Sequence, residues 1–272
     1  MRPVIRLTFA AGSLLLAGSL AGCGSTPAVS VTSGSAAPGS AAPSSASATG
    51  QSTVPTAKTV VEQARTSSAA AKSAHLHAVI AVEAGDETID LKGTMDGTNQ
   101  ELTVTYPDEG TATIRTVDDK RYMKGDSTFW RMAAGVGPAT ATQIADKWVV
   151  TPPQTAQRMS KLTLRSFIDE LIGPQTISDS DLEQATTSRA SKSGTPVWLV
   201  DSGEGDTLKV SADSSHNLLE AAGPTDEGDG TATIDGWNAQ SRITAPPNPI
   251  RLPGSGGGGG STDTSTEDGR TT

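Results

Sequence analysis

Leu76-His77-Ala78-Val79-Ile80-Ala81-Val82 and Thr88-Ile89-Asp90-Leu91-Lys92 are two strand patterns that follow each other along the chain, with five residues between them. The first is rich in apolar and β-branched residues. The second alternates strictly between apolar and polar residues, as a strand with one buried face does. Parallel neighbours need a connection of a dozen residues or more. The two strands are therefore predicted to form an antiparallel hairpin, and this hairpin sets the fold class.

The same pattern continues further along the chain in two series. Turn signals rich in Gly, Pro and Asp separate the candidates, and the spacing between them is again short. The further predicted strands are Glu101–Tyr106, Thr111–Val117, Lys120–Lys124, Phe129–Met132, Val197–Val200, Thr207–Val210, Asn217–Glu220 and Thr231–Ile234. We therefore expect two antiparallel meanders.

Two helices are predicted, one before each meander. Thr59 and Glu62 have the spacing of a capping box at the start of the first helix, whose apolar face consists of small residues. The second helix carries an apolar stripe at helical spacing, and Gly173-Pro174 is its stop signal. The stripe consists of Leu164, Phe167, Ile168, Leu171 and Ile172.

The N-terminus has the three-part layout of a secretory signal. Arg2 and Arg6 precede a mostly apolar run of 14 residues, Leu7–Leu20, which is too short to cross a bilayer as a helix. Leu20-Ala21-Gly22-Cys23 resembles the bacterial lipobox. This resemblance implies a lipoprotein signal peptide at residues 1–22, a diacylglycerol on the Cys23 sulfur, and an acyl chain such as palmitate on its amine. The alternative is an ordinary secreted protein with a cysteine there by chance.

Composition divides the rest of the chain into three parts. Residues 23–55 are almost wholly Ser, Ala, Gly, Pro, Thr and Val, and they predict a disordered tether behind the lipidated cysteine. Residues 56–253 are long enough for one domain with a sizeable core. Residues 254–272 are again rich in Gly, Ser and Thr and are predicted to be a disordered tail.

Charge and cysteine content exclude some classes of partner and of fold. The chain has a formal net charge of −9, and without Arg2 and Arg6 it has 19 basic and 30 acidic residues and a charge of −11. Such acidity argues against nucleic acid and anionic lipid as electrostatic partners. Cys23 is the only cysteine, so the fold must rest on core burial without an intramolecular disulfide.

Three features of residues 56–253 resemble the LolA-like actinobacterial lipoproteins of the LppX/LprG type. The first comprises the segments Arg121–Asp126, Phe129-Trp130 and Ala145–Val150. The second is the amphipathic helix Leu164–Ile172, and the third is the closing segment Ile234–Pro247. The resemblance implies an α+β fold, an incompletely closed antiparallel β-barrel with helices covering its concave face, and an apolar cavity that binds acyl chains.

The residues alone leave the existence of that cavity open. Apolar alternation in a sheet most often produces a filled core, because protein interiors pack without voids, whereas the resemblance favours a cavity. If the cavity exists, its predicted lining comes from the apolar faces of the strands and of the second helix: Ile80, Val82, Ile89, Leu91, Val104, Ile114, Phe167 and Leu171.

Residues able to support chemistry are few. His75 and His77 are two apart on a strand, which would let them share a metal, but no third ligand is near in sequence and a polar edge face is the simpler interpretation. The hydrolase and nucleotide signatures are absent. The acidic runs Asp179–Asp181 and Asp226–Asp229 lack the spacing of a calcium loop and are interpreted as solvated turns. Four tryptophans would serve either ligand contact or packing: Trp130, Trp148, Trp198 and Trp237.

These observations lead to three hypotheses about function. The first is a carrier or chaperone for a lipid, lipoglycan or other hydrophobic ligand, anchored to the outer face of the cytoplasmic membrane through acyl chains on Cys23, without cofactor or catalysis. The second is an extracytoplasmic sensor or adaptor in the cell envelope, with a closed core, that binds another envelope protein. The third is a metal-dependent enzyme built on His75 and His77.

Overall fold

The computed structural model of the chain describes residues 53–252. Six helices and eleven strands occupy this range, and they alternate in blocks along the chain. In chain order they are α1 Ala57–Ala70, β1 Ser73–Val82, β2 Gly85–Thr94, β3 Asn99–Tyr106, β4 Gly110–Val117, β5 Lys120–Gly125, α2 Ser127–Met132, α3 Pro138–Ile144, β6 Val149–Val150, α4 Pro153–Arg158, α5 Leu164–Ile172, α6 Asp179–Gln184, β7 Thr186–Lys192, β8 Thr195–Asp201, β9 Thr207–Ser211, β10 Leu218–Pro224 and β11 Asp229–Asp235.

All eleven strands belong to one antiparallel sheet. Their order is β6-β5-β4-β3-β2-β1-β11-β10-β9-β8-β7. The two predicted meanders are thus joined into one sheet through β1 and β11, where Leu76 faces Ile234 and Ala78 faces Ala232. Within residues 53–252 the sheet stays open, because β6 and β7 lie at its opposite edges. The predicted fold class, an α+β open antiparallel half-barrel with helices on one face, is confirmed.

The register of the central strands places their apolar residues on one face. Leu76 pairs with Leu91, which in turn pairs with Leu102 on the next strand, and Leu102 pairs with Ile114. All four side chains are buried and belong to the same core as the apolar residues of α1 and α5. We call this side of the sheet the covered face. The opposite side, the outer face, carries the polar residues of the same strands.

The two predicted helices are present, but one begins earlier than expected. The N-cap of α1 is Thr56, whose hydroxyl accepts a hydrogen bond from the Thr59 amide, so the prediction of a capping box from Thr59 to Glu62 is wrong. The prediction of α5 is confirmed over Leu164–Ile172, with Thr163 as its N-cap and Gly173 as its C-cap. The buried residues of α5 pack against β1 and β2 on the covered face.

The segment Phe129–Met132 was predicted to be a strand and is helical instead. The Asp126 carboxylate caps α2 by accepting a hydrogen bond from the Phe129 amide at 2.7 Å, and it also accepts one from the Thr111 amide at 2.8 Å. The Phe129 ring lies against Gly125, where a Cβ atom would come within 2.4 Å of the ring. Capping chemistry and this close packing therefore override the local strand propensity.

No helix within residues 53–252 combines the length and the apolar character that a membrane crossing requires. The predicted signal peptide, Cys23, nearly all of the tether and the C-terminal tail lie outside these residues.

Candidate functional site

The covered face carries apolar core residues of the sheet, and helices pack against it. The sheet contributes alternate residues of its central strands, and α5 contributes Leu164, Ile168, Leu171 and Ile172. The helix α1 lies beside α5 and buries Val60, Val61 and Ala64. A face of this kind can hold an acyl chain only if some of these side chains separate, because interiors pack densely.

The residues predicted to line a cavity are nearly all on this face. Six of them are buried: Ile80, Ile89, Leu91, Val104, Ile114 and Leu171. Phe167 is half-buried and packs against the core from α5, and Val82 is half-exposed at the end of β1. The structure therefore brings most of the predicted set together at the covered face, and their role in lining a ligand cavity stays a prediction.

One end of the covered face is occupied by a buried carboxyl group, which we call the Glu87 end. Glu87 lies opposite Ile80 on β1 and shares its face with Ile89 and Leu91. Only 4% of the residue is exposed, and its Oε1 atom has no hydrogen-bond partner within residues 53–252. Burial, together with the nearby charges of Glu227 and Glu109, raises the pKa of Glu87 to about 7. This carboxyl group therefore changes charge near neutral pH.

Tyr106 is the neighbour of Glu87 on the covered face. It lies one step beyond the Thr88–Thr105 pair between β2 and β3, which places it opposite Glu87. Burial raises the pKa of Tyr106 to about 12, and the charges of Glu87, Glu109 and Glu227 act in the same direction. The phenol therefore stays protonated at physiological pH and is available as a hydrogen-bond donor.

Two further polar atoms of the core lack partners within the described chain. The Gln100 side chain donates through Nε2 to the Leu162 carbonyl at 2.5 Å, while its Oε1 atom accepts no hydrogen bond. The Trp130 indole of α2 is buried, and its Nε1–H donates to nothing in residues 53–252. Buried polar groups are nearly always hydrogen-bonded in native proteins. Each of these atoms is therefore a position where water or a ligand would find a hydrogen bond.

The helices α2 and α3 pack against each other, and α2 also packs against β4 and β5. Met132 at the end of α2 is 62% exposed. The half-buried residues that follow it and pack against the core are Ala133, Ala134 and Val136. This segment has no charged residue between Arg131 and Asp146. Within residues 53–252 only Met132 and Val54 are exposed large apolar residues.

The two paired histidines lie on the outer face, away from the core. His75 Nε2 is 2.9 Å from Asp90 Oδ2, and His77 Nδ1 is 3.5 Å from the same oxygen. His75 Nδ1 is also 3.2 Å from Asp235 Oδ1. Within residues 53–252 no group of three or more His, Cys, Asp or Glu side chains is arranged to hold a metal ion. The contacts are those of a polar network across neighbouring strands.

The tryptophans and the acidic runs are scattered over the fold. Trp148 lies below two cations on the outer side, with its ring centroid 4.7 Å from the Arg115 guanidinium carbon and 5.3 Å from Lys124 Nζ. Trp198 contacts Arg189, and the Trp237 indole donates to the Leu218 carbonyl. Asp179 and Asp181 lie in the first turn of α6, and Asp226–Asp229 spans the turn before β11.

Two cavities lie away from the predicted lining. One, of about 420 Å³, opens beside β5 and β6, and the other, of about 390 Å³, lies between α1 and Ser214–His216. None of the eight predicted lining residues borders either cavity.

Sequence reasoning missed Glu87 and the groups beside β5. Glu87 was detectable, because the alternation of Ile89 and Leu91 assigns residue 87 to the same buried face. The cavity beside β5 joins three separate chain segments, and nothing in the sequence indicates that they meet.

The chain is distantly similar to several proteins of known structure. No protein-family profile matches the chain, and no curated protein matches it in sequence. LprF from Mycobacterium bovis is 15% identical, with a TM-score of 0.44, over 70% of this chain and 96% of that protein. The lipoprotein LppX from Mycobacterium tuberculosis is 13% identical, with a TM-score of 0.41, over 69% and 98%. A LolA superfamily protein from Nitrosomonas europaea is 8% identical, with a TM-score of 0.24, over 70% and 96%.

Proposed function

We propose that this chain is a lipoprotein of the bacterial cell envelope that binds and carries a hydrophobic ligand, a lipid or lipoglycan, between the covered face of its sheet and the helices above it. The acyl chains of the ligand would lie along the apolar residues of β1 to β4 and of α5. The headgroup would lie at the Glu87 end. No chemistry on the ligand is required, because transfer needs only a binding surface and an opening.

The observation that carries this proposal is a set of buried polar atoms that have no hydrogen-bond partner within residues 53–252. Glu87 Oε1, Gln100 Oε1 and Trp130 Nε1 are all of this kind. A core built only for stability would place apolar atoms there, because an unsatisfied buried polar group costs about 1–3 kcal/mol. An amphiphile that enters the core can supply both the apolar contact and the missing hydrogen bonds.

The way in which the sheet is covered supports the same proposal. The helices α2, α3 and α4 have only six or seven residues each, and α5 has nine. Short helices contribute few packing contacts of their own, so they can separate from a sheet at lower cost than a second sheet would. Phe167 of α5 is half-buried, so we expect it to lie at the opening that would form if the helices separated from the sheet.

The proposed location follows from the N-terminal sequence. A lipidated Cys23 would fix the chain to the outer face of the cytoplasmic membrane, since two or three acyl chains give a lasting anchor. The tether of residues 23–55 would let the folded part reach the bilayer and leave it again. Incorporation of radioactive palmitate into the wild type, and its loss in Cys23→Ser, would test the anchor separately from ligand binding.

The experiment that tests ligand binding is native mass spectrometry, followed by organic extraction, of residues 53–253 that are exported behind a cleavable secretory signal without Cys23 and purified from the organism's own envelope. We expect an acylated molecule at close to one per protein. Phe167→Ser, which removes a half-buried aromatic ring from the covered face, is expected to lower its occupancy several-fold. Val79→Ser changes a half-buried residue of the outer face and is the matched control, with unchanged occupancy.

One combined result would contradict the proposal. A clean mass without bound molecules, together with no uptake of added lipids, would exclude a carrier. The alternative function, a sensor or adaptor for another envelope protein, would then be preferred, and the exposed segment after Met132 would be the first surface to test for a partner.

A further inference from the structure

A cleft at the edge of the sheet brings together basic residues of a chain that is acidic overall. Its volume is about 420 Å³, and its walls come from the start of β5, from the connection between β6 and α4, and from the segment Pro249–Arg251. We call it the edge cleft. Three of its lining residues are cations: Lys120, Arg121 and Arg251. Asp119 is the one acidic residue in its wall.

The cationic side chains of the edge cleft have N–H donors that the described chain does not use. Within residues 53–252, neither Lys120 nor Arg251 forms a side-chain hydrogen bond or an ion pair, and both are exposed. Arg121 donates through Nε to the Thr116 hydroxyl and through Nη1 to the Ala156 carbonyl. A guanidinium has five N–H groups, so Nη2 remains available. Arg121 is thus held in place by the protein while part of its charge still faces the cleft.

The wall of the cleft contains a further unpaired polar group. Thr151 is buried, and its hydroxyl has no hydrogen-bond partner within residues 53–252. Tyr122, also buried, lies next to it in the lining, and Pro152, Pro153 and Pro249 give the rest of the wall a stiff backbone. The volume is in the range of small-molecule sites, roughly 300–1,000 Å³, and is larger than a single tetrahedral anion needs.

We propose that the edge cleft is a binding site for a phosphate group carried by a small polar molecule, such as a glycerol phosphate headgroup. Lys120, Arg121 and Arg251 would neutralise the phosphate, with Arg121 as the pre-positioned donor, because guanidinium and ammonium groups are the usual protein partners of phosphate. The rest of the cavity would hold the polar group that the phosphate carries. None of the eight residues predicted to line a cavity at the covered face borders the edge cleft, so the existence of this site does not depend on whether that face binds a lipid.

The test is a titration followed by ³¹P nuclear magnetic resonance, with the full-length protein in a non-ionic detergent at pH 7.5 and sn-glycerol 3-phosphate as the probe. We expect saturable line broadening for the wild type. The double variant Lys120→Gln and Arg251→Gln is expected to bind at least about tenfold more weakly, the factor that 1.4 kcal/mol corresponds to. Lys147→Gln with Lys161→Gln removes the same charge from two exposed residues outside the cleft and is expected to bind like the wild type.

A second variant guards against an effect on folding. Thr151→Val keeps the shape of the side chain and removes a buried hydroxyl that has no partner in the described chain, so its thermal stability is expected to be at least that of the wild type while its affinity falls. The proposal is overturned if the wild type shows no saturation up to about 10 mM, which is weaker than the millimolar end of specific binding, or if both double variants weaken binding equally.

Inorganic phosphate, used as a second probe, distinguishes a site for free phosphate from a site for a phosphorylated headgroup. Tighter binding of glycerol phosphate would mean that the attached polar group occupies the remaining cavity and would assign the cleft to a phosphorylated headgroup. Equal affinities would assign it to free phosphate.

Discussion

Replacing Glu87 with Gln is expected to stabilise the protein above neutral pH and to leave it unchanged in mild acid. Glu87 is almost fully buried on the covered face, and its pKa rises from an ordinary 4.5 to about 7 in the folded state. Between these two values the folded chain retains a proton that the unfolded chain has lost. The free energy of unfolding therefore falls as the pH rises from about 4.5 to 7, and the loss is complete above 7.

The size of the effect follows from the same two values. At 1.36 kcal/mol for each pKa unit, the difference corresponds to about 3 kcal/mol, and partial hydration of the ionised group reduces this to on the order of 2–3 kcal/mol. Gln has the same shape as Glu and no charge at any pH. We therefore expect the free energies of unfolding of Glu87→Gln and of the wild type to agree near pH 4.5, and the variant to be more stable by on the order of 2 kcal/mol at pH 8.

The assay is urea unfolding of residues 53–253, followed by circular dichroism at pH 4.5, 6 and 8. Glu109→Gln is the control, because Glu109 is exposed in the turn after Tyr106 and its charge contributes least to the raised pKa of Glu87, after burial and the charge of Glu227. Its stability is expected to follow the pH dependence of the wild type closely. The reasoning is refuted if Glu87→Gln retains the wild-type dependence on pH, or if it is less stable than the wild type at pH 8.

Two further substitutions test how the sheet and its covering helices are held. Gly93→Ala is expected to lower the free energy of unfolding in urea by at least about 2 kcal/mol. Gly93 has φ +134°, and a Cβ atom there would lie 2.2 Å from the Asn99 carbonyl oxygen. The control Gly194→Ala, with φ +83° and open space around its Cβ position, should lower it by roughly half as much or less. Asp126→Ala removes the cap of α2 and the hydrogen bond to the Thr111 amide. We expect the free energy of unfolding to fall by about 1–3 kcal/mol and amide hydrogen exchange to accelerate more in residues 127–132 than elsewhere. An acceleration that is uniform across the domain would contradict the local role of this carboxylate.

The strands with one apolar face could be predicted from the sequence, and the polar edge strand could not. The pattern Thr88-Ile89-Asp90-Leu91 places β2 correctly, because burial on one side imposes a period of two. The edge strand β7, Thr186–Lys192, contains only one apolar residue, Ala190, so periodicity gives no signal there. It forms because β8 offers a free edge along Thr195–Asp201.

The joining of the two meanders depends on contacts between distant parts of the chain. His75 pairs with Asp235, and no local pattern reports that β1 lies between β2 and β11. The strand predicted at Phe129–Met132 illustrates the opposite case, because the information was local. Asp126 is a good N-cap residue three positions before Phe129, and giving more weight to that signal would have predicted the helix.

Of the candidate site, the apolar part was predictable and the polar part only in places. The residues Ile89, Leu91 and Val104 follow from strand periodicity, whereas Tyr106 is identified as the neighbour of Glu87 only once the register of β2 and β3 is known. The edge cleft required the tertiary structure, since Lys120, Thr151 and Arg251 lie on three separate segments.

The most direct test of the proposed ligand site is photo-crosslinking with a fatty acid that carries a diazirine near its methyl end, followed by peptide mapping of residues 53–253. We predict that labelling concentrates on the covered face, in peptides that contain Val104 and Phe167 to Leu171, and that unlabelled fatty acid competes for it. Labelling confined to the exposed segment around Met132, or labelling that excess fatty acid does not reduce, would contradict a ligand site between the sheet and its helices.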